Sequence, residues 1–135
     1  MSYLLDTSAF SDLIREHPKM HTRLENLAPR ERIVLRTIVR GEIAYGIGRL
    51  PEGKRRETLQ AKTTHLLTAF SCESIPPHAA EQYARIKIER QRKGLTLDEN
   101  DLWIAASAIA LGHILVSRDR DFQQIDGLIV EDWTA

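Results

Sequence analysis

Tyr3-Leu4-Leu5-Asp6-Thr7-Ser8, at the start of the chain, and His113-Ile114-Leu115-Val116-Ser117-Arg118-Asp119-Arg120-Asp121, near its end, share one plan: a short apolar run that gives way to polar residues and an acid. Such a run, apolar without alternation, suits a strand buried on both faces, as strands of a parallel sheet are. In open α/β sheets ligands bind beyond the carboxyl ends of the strands, and Asp6 and Asp119 fall there.

Working outward from these two runs gives a regular alternation. Residues 9–16 read as a helix that Thr7 and Ser8 can cap, Pro18 resets the chain, and a second helical stretch reaches residue 27. Glu31-Arg32-Ile33-Val34-Leu35-Arg36 is a second strand, after which Ile38, Ile43, Ile47 and Leu50 recur at helical spacing with Glu42 in the first turns. Pro51-Glu52-Gly53 is a turn, and Lys54-Arg55-Arg56 leads a long helix with Leu59, Leu66 and Leu67 on one face. Residues 71–75 form a third strand, and Pro76-Pro77 starts a helix that Gly94 stops. A polar turn over residues 96–100 precedes a helix beginning at Asp101 and ending at Gly112, and residues 113–116 and 128–130 are the last strands. The alternation implies a three-layer α/β/α domain with a small, mostly parallel central sheet and right-handed crossovers.

Composition bounds the rest. At 135 residues and 42% hydrophobic, the chain suits one domain spanning residues 1–135. Nineteen basic and nineteen acidic residues cancel, so no global field announces a nucleic-acid or membrane partner, and any nucleic acid must be held by a local patch. The single Cys72 cannot form an internal disulfide, and no Cys/His spacing fits zinc, which points to a reducing compartment. His17 and His21 are interrupted by Pro18 and read as surface residues. Nothing at the start resembles a signal peptide, and the apolar tract over residues 102–116 is too short to span a bilayer, so the cytoplasm is the expected location and no membrane is involved.

The acids are then the chemistry. Asp6, Glu42, Asp101 with Asp98, and Asp119 with Asp121 come from separated elements, and each alone has a plain structural explanation as a cap, a turn former or a charge near a helix N-terminus. Together they do not: carboxylates about 4 Å apart repel by roughly 4 kcal/mol per pair at an effective dielectric near 20, so a cluster requires a cation or protons. Mg²⁺ or Mn²⁺ takes oxygen ligands, keeps several waters, and can orient an attacking water while stabilising charge on a phosphate. Hydrolysis of a phosphodiester then needs no nucleophilic side chain, in keeping with the lack of a Gly-x-Ser-x-Gly elbow, a Walker loop or a Gly-x-Gly-x-x-Gly motif.

Leu4-Leu5-Asp6-Thr7-Ser8, Gly41-Glu42-Ile43-Ala44-Tyr45-Gly46-Ile47, Asp98-Glu99-Asn100-Asp101-Leu102-Trp103-Ile104-Ala105-Ala106 and Leu115-Val116-Ser117-Arg118-Asp119-Arg120-Asp121-Phe122, in that order along nearly the whole chain, resemble the PIN-domain ribonucleases, specifically the VapC toxins of bacterial toxin–antitoxin modules. The resemblance implies a Mg²⁺-dependent endoribonuclease, inhibited by a cognate antitoxin and usually a homodimer. It makes Asp6 and Asp101 the primary metal ligands, with Glu42 and Asp119 completing the shell or holding its water. Asp121 remains an alternative to Asp119, and Asp98 is placed to act through water or as a cap. Ser117 resembles the Ser or Thr that often lines this pocket. Where many relatives have Asn this chain has Ser8, whose shorter hydroxyl can still cap the helix and contact a ligand.

The RNA contact is carried by local positive charge: Arg118 and Arg120 adjoin the acids, with Lys54, Arg55, Arg56 and residues 85–93 as further basic stretches. The helical pair over residues 9–27 can form a groove for an antitoxin helix. The competing reading is a non-catalytic PIN-like interaction module whose acids are caps and ion-pair partners. A phosphotransfer domain would need a paired acidic dipeptide after the first strand and a late Lys, and a haloacid-dehalogenase-type phosphatase an Asp at position 8; the chain has neither.

Overall fold

Five strands, β1 (Ser2–Leu5), β2 (Arg32–Arg36), β3 (Ser71–Glu73), β4 (Ile114–Val116) and β5 (Val130–Glu131), form one sheet in the computed structural model, which describes residues 1–135. Their order is β3-β2-β1-β4-β5, and every neighbouring pair is parallel. The inner strands are apolar throughout because both faces are covered: Leu4, Leu5, Val34, Leu35 and Leu115 are fully buried.

Six helices supply the covering layers. They are α1 (Thr7–Ile14), α2 (Pro18–Glu25), α3 (Thr37–Gly48), α4 (Lys54–Ala69), α5 (Ala79–Arg92) and α6 (Glu99–Leu111). From β1 the chain winds outward through α1–α4 to β2 and β3, then crosses back through α5 and α6 to β4 on the other side of β1. Right-handed crossovers in opposite directions put the two helix groups on opposite faces, giving the three-layer α/β/α arrangement. In keeping with this, α1 packs on α2, α3 and α4, while α5 packs on α6. The strand order reverses between β1 and β4, so the crevice at their carboxyl ends is the topological switch point of the sheet.

Local chemistry explains most boundaries. Gly112, at φ 68°, ends α6 in a left-handed turn where any other residue would meet a Cβ penalty. Four details differ from the sequence reading. Asp6 itself caps α1, while Thr7 and Ser8 lie inside the helix. Two prolines hold residues 76–78 in a turn, so α5 begins at Ala79, and β3 stops at Glu73. The last strand is Val130–Glu131, and a 3₁₀ turn, Arg120–Gln124, fills the segment before it and buries Phe122. The two histidines near Pro18 are both partly exposed but not idle: His17 caps α2 by accepting from the Lys19 N–H at 3.2 Å, and His21 is half-buried, its Nε2 enclosed without a partner. No helix is long and apolar enough to cross a membrane.

Candidate active site

β1 ends at Leu5, and the next residue, Asp6, is 4% exposed at the switch point. Its carboxylate accepts from the Ala9 N–H at 2.8 Å, from Ser8 Oγ at 3.1 Å and from Ser117 Oγ at 2.5 Å. Ser117 follows β4 directly and in turn accepts from the Asp119 N–H at 3.0 Å. One hydroxyl thus ties the tips of the two central strands together and fixes the Asp6 carboxylate between them. Burial pushes the Asp6 carboxyl up from its ordinary value, the hydrogen bonds from Ser117, Ala9 and Ser8 hold it down, and the Asp119 charge adds a further upward push.

Asp101 enters from the opposite helical layer, in the first turn of α6, and is half-buried. Its carboxyl is pushed up to about 7, first by burial and then by the charges of Asp6, Asp98, Glu42 and Asp119. Acids from β1, α3, α6 and the loop after β4 therefore act on one another electrostatically, which is the conjunction the spacing in sequence could only suggest.

The remaining members have separate supports. Glu42 is the sixth residue of α3, in mid-helix and not in its first turns, because the helix starts at Thr37 immediately after β2. The helix N-terminus therefore does not account for this acid, which accepts from Thr7 Oγ1 at 2.8 Å across to α1. Asp98 is the exposed N-cap of α6, accepting from the Asn100 N–H at 3.1 Å. Asp119 caps the 3₁₀ turn by accepting from the Asp121 N–H at 3.0 Å, whereas Asp121 is exposed and is not among the charges acting most on Asp6 or Asp101.

The two basic neighbours differ. Arg118 is held by Asp12 of α1, Nε to Oδ2 at 2.9 Å, so its charge is already engaged; Arg120 is exposed and has no carboxylate partner. Asp12 carried no signal in the sequence beyond its place one turn past Ser8.

As the side chains stand, no three of them form a group that could hold a metal ion; the Asp6 and Glu42 carboxylates instead accept from hydroxyl and amide donors. That agrees with the mutual repulsion, since charges act over several ångströms while direct Mg²⁺ ligation demands about 2.1 Å. The donors present fit such an ion: they are hard carboxylate and hydroxyl oxygens, and Asp101 bears like charges with no paired cation among its principal influences. Mg²⁺ is commonly held through one or two carboxylates and several waters, so a complete protein cage is not required.

Comparison with known proteins gives a consistent result. A family model for the PIN domain matches residues 3–128. The chain is 33% identical to Ribonuclease VapC2 of Rickettsia felis over 135 residues, covering 98% of each. Among solved structures it is similar to VapBC2 from Rickettsia felis bound to a DNA fragment from their promoter, with TM-score 0.88, 32% identity, and 98% and 99% of the two chains covered. It is also similar to VapBC-1 from nontypeable Haemophilus influenzae, with TM-score 0.86, 26% identity and both chains covered in full.

Proposed function

The chain belongs to the PIN-domain family, among relatives of VapC type, and we propose that it is a Mg²⁺-dependent endoribonuclease, the toxin of a toxin–antitoxin pair, with Mn²⁺ able to substitute. The observation that carries the reading is Asp101, pushed up to about 7 by burial and by acids from other elements at the switch point of the sheet. Asp101 neither caps a helix nor pairs with a base, and a half-buried acid repelled by acids from other elements marks a candidate cation site.

In this reading Asp6 and Asp101 are the primary ligands, with Glu42 and Asp119 secondary. Held there by these acids, Mg²⁺ would supply Lewis-acid charge for activating water and for stabilising negative charge on the phosphate and leaving oxygen. The chain's own residues do the positioning. Ser117 and Ser8 hold the Asp6 carboxylate, and Thr7 holds Glu42. Asp98 shapes the start of α6 as its cap and adds negative charge beside Asp101. Asp119 is favoured over Asp121 as the fourth acid because its charge acts on both Asp6 and Asp101. Arg120, free of an ion pair, is better suited to a phosphate than Arg118, which Asp12 engages.

The partner expected is an antitoxin protein, since the similar solved structures are VapBC assemblies. An apolar groove of ≈ 320 Å³ between α1, α2 and α4, lined in part by Leu13, Ile14, Ala61 and Leu66, supports docking of an amphipathic antitoxin helix. A homodimer in the cytoplasm completes the proposal.

Purified protein freed of any partner, incubated with total RNA, tests the reading. Cleavage is expected with Mg²⁺ or Mn²⁺, none with chelator, and a fall on the order of 10³ for Asp101→Asn, equivalent to several kcal/mol of lost charge stabilisation. Asp119→Asn is expected to lose more activity than Asp121→Asn. Wild type and Asp101→Asn that are equally inert while folded would favour the non-catalytic interaction module.

A further inference from the structure

Glu42 lies between two depressions. On one side is a shallow hollow shared with Ile38, Gly41, Tyr45 and Asn100. On the other is a cleft of ≈ 280 Å³ that begins at Thr7 and Glu42 and runs away from the acids between α1, α3 and α4. Arg15, just past the end of α1, Arg49, at the end of α3, and Arg55, in the first turn of α4, all line it. None of the three has a carboxylate partner, in contrast to Arg23, Arg32 and Arg118. Arg49 instead lies over the ring of Tyr45, 5.4 Å from its centroid, and that ring is 69% exposed.

Arg15 and Arg49 stand at the C-termini of α1 and α3, where a helix favours a cation, but Arg55 has no such support. Lys54, Arg55 and Arg56 place cations in the first turn of α4, the end at which a helix favours negative charge, and Gly53 provides no side-chain cap there. Three guanidinium groups from separate elements line one cleft whose single carboxylate is Glu42 at its mouth, so the cleft carries a net positive charge that suits an anion. A polyanion cut at the acid group must continue beyond the scissile phosphate, and its repeating phosphates call for cations at that remove.

We infer that the Arg15–Arg49–Arg55 cleft is the track for the single-stranded RNA on one side of the cut, its arginines on successive phosphates and Tyr45, backed by Arg49, offering a face on which a base stacks. This rests on the ribonuclease reading and adds to it the polarity of the substrate path: across α3, from the hollow at Asn100, over Glu42 and the acids, into the arginine cleft. Guanidinium and ring contacts of this kind are tolerant of sequence, so the cleft sets affinity and register and leaves base choice to other contacts.

The test uses the full chain carrying Asp101→Asn, which binds without cutting, and a fluorescent single-stranded RNA of about ten nucleotides followed by anisotropy over a salt series. Replacing Arg15, Arg49 and Arg55 together by Ala is expected to weaken binding by about tenfold or more and to flatten the slope of log Kd against log salt by about 2, at roughly 0.7 per phosphate contact on a single strand. Lys at the same positions should restore most of the slope, which a merely structural role would not. Tyr45→Ala is expected to cost roughly fivefold or more while Tyr45→Phe keeps binding. An unchanged slope in the triple Ala variant, with its thermal melt preserved, would overturn the inference even where the wild type cleaves RNA. The same variant losing affinity only for a poly-glutamate peptide would also overturn it and assign the cleft to an acidic protein segment. Absence of both RNA binding and cleavage would overturn the ribonuclease reading and the inference with it.

Discussion

At the carboxyl ends of β1 and β4, Asp6, Asp101 and Asp119 gather charges of one sign; beside β2 and β3, Arg36 and Arg32 meet the opposite charge of Glu73, with His113 alongside. The second cluster is built around Arg36, fully buried, which donates to the Ser74 carbonyl at 3.3 Å and lies 3.6 Å from Glu73. Its other guanidinium nitrogen is 3.1 Å from His113 Nδ1, and because Arg can only donate, that nitrogen must be the acceptor. Burial and then Arg36 hold the His113 imidazole below its ordinary value, while the Ser71 hydroxyl, Arg32 and Arg36 hold the Glu73 carboxyl down against its burial. Burial pushes the Arg36 guanidinium down, and Glu73 opposes that push. At the switch point no opposite charge offsets burial: Asp101 is pushed toward the uncharged form by burial and then by Asp6 and other acids, and Asp6 by burial and by Asp119. Opposite charges in contact hold a fold together, whereas like charges gathered without a partner are what the proposed cation site would require.

The comparison breaks most visibly if the balanced cluster is cut. Arg36→Met leaves Glu73 with Arg32 and Ser71 but strands the Ser74 carbonyl and His113 Nδ1, so a loss of about 2 kcal/mol is expected in urea unfolding at pH 7. A loss under about 0.5 kcal/mol would mean that Arg36 is a tolerated burial and not a structural one.

The unbalanced cluster should respond to pH in the opposite sense from an ordinary paired acid. Asp101 has its folded value raised, so the folded state binds that proton more tightly than the unfolded chain does. Its contribution to stability therefore grows as pH falls through about 7 toward the unfolded value near 4 and is lost as pH rises back through 7. With water screening a half-buried group, the difference between the two ends of that window is expected to be about 1–2 kcal/mol in chelator. Asp101→Asn should flatten this part of the stability curve and leave the variant the more stable protein at pH 8. Parallel curves for wild type and variant would remove the claim of uncompensated charge.

A smaller change sharpens the picture within the site. Ser117→Ala takes from Asp6 the bond that most lowers its carboxyl, so it should cost about 1 kcal/mol of stability and push that carboxyl further up. Mg²⁺ affinity, read by titration calorimetry, should fall about tenfold or more, as expected on losing a group that orients a ligand. Loss of stability with Mg²⁺ affinity unchanged would make Ser117 a strand tie alone.

Much of this was legible in the chain. Unalternating apolar runs ending at Asp6 and at Ser117 disclosed a parallel sheet with acids at its carboxyl ends, and the helices followed from period and glycine stops. What the sequence could not disclose was the position of Glu42, since β2 and α3 abut without a loop residue or a side-chain cap to mark the join. Nor could it reveal that Asp6 is a cap and a site acid at once, because one carboxylate with two oxygens serves both uses. The Arg36 cluster was equally silent. Its partners lie 37, 38 and 77 residues away, and an arginine at a strand end reads as exposed until the fold closes over it. The arginine cleft was visible only in part, as Lys54-Arg55-Arg56, because Arg15 and Arg49 join it through the packing of α1 and α3.

The most direct test of the central claim, that the acids at the switch point are an uncompensated cation site, is a thermal melt of wild type and Asp101→Asn at pH 8, in chelator and across a Mg²⁺ series. The account predicts that the variant melts higher in chelator, that Mg²⁺ raises the wild type in a saturable way, and that the variant gains little, so that the order reverses as Mg²⁺ rises. A variant that melts lower than wild type in chelator, or equal Mg²⁺ stabilisation of both proteins, would contradict it.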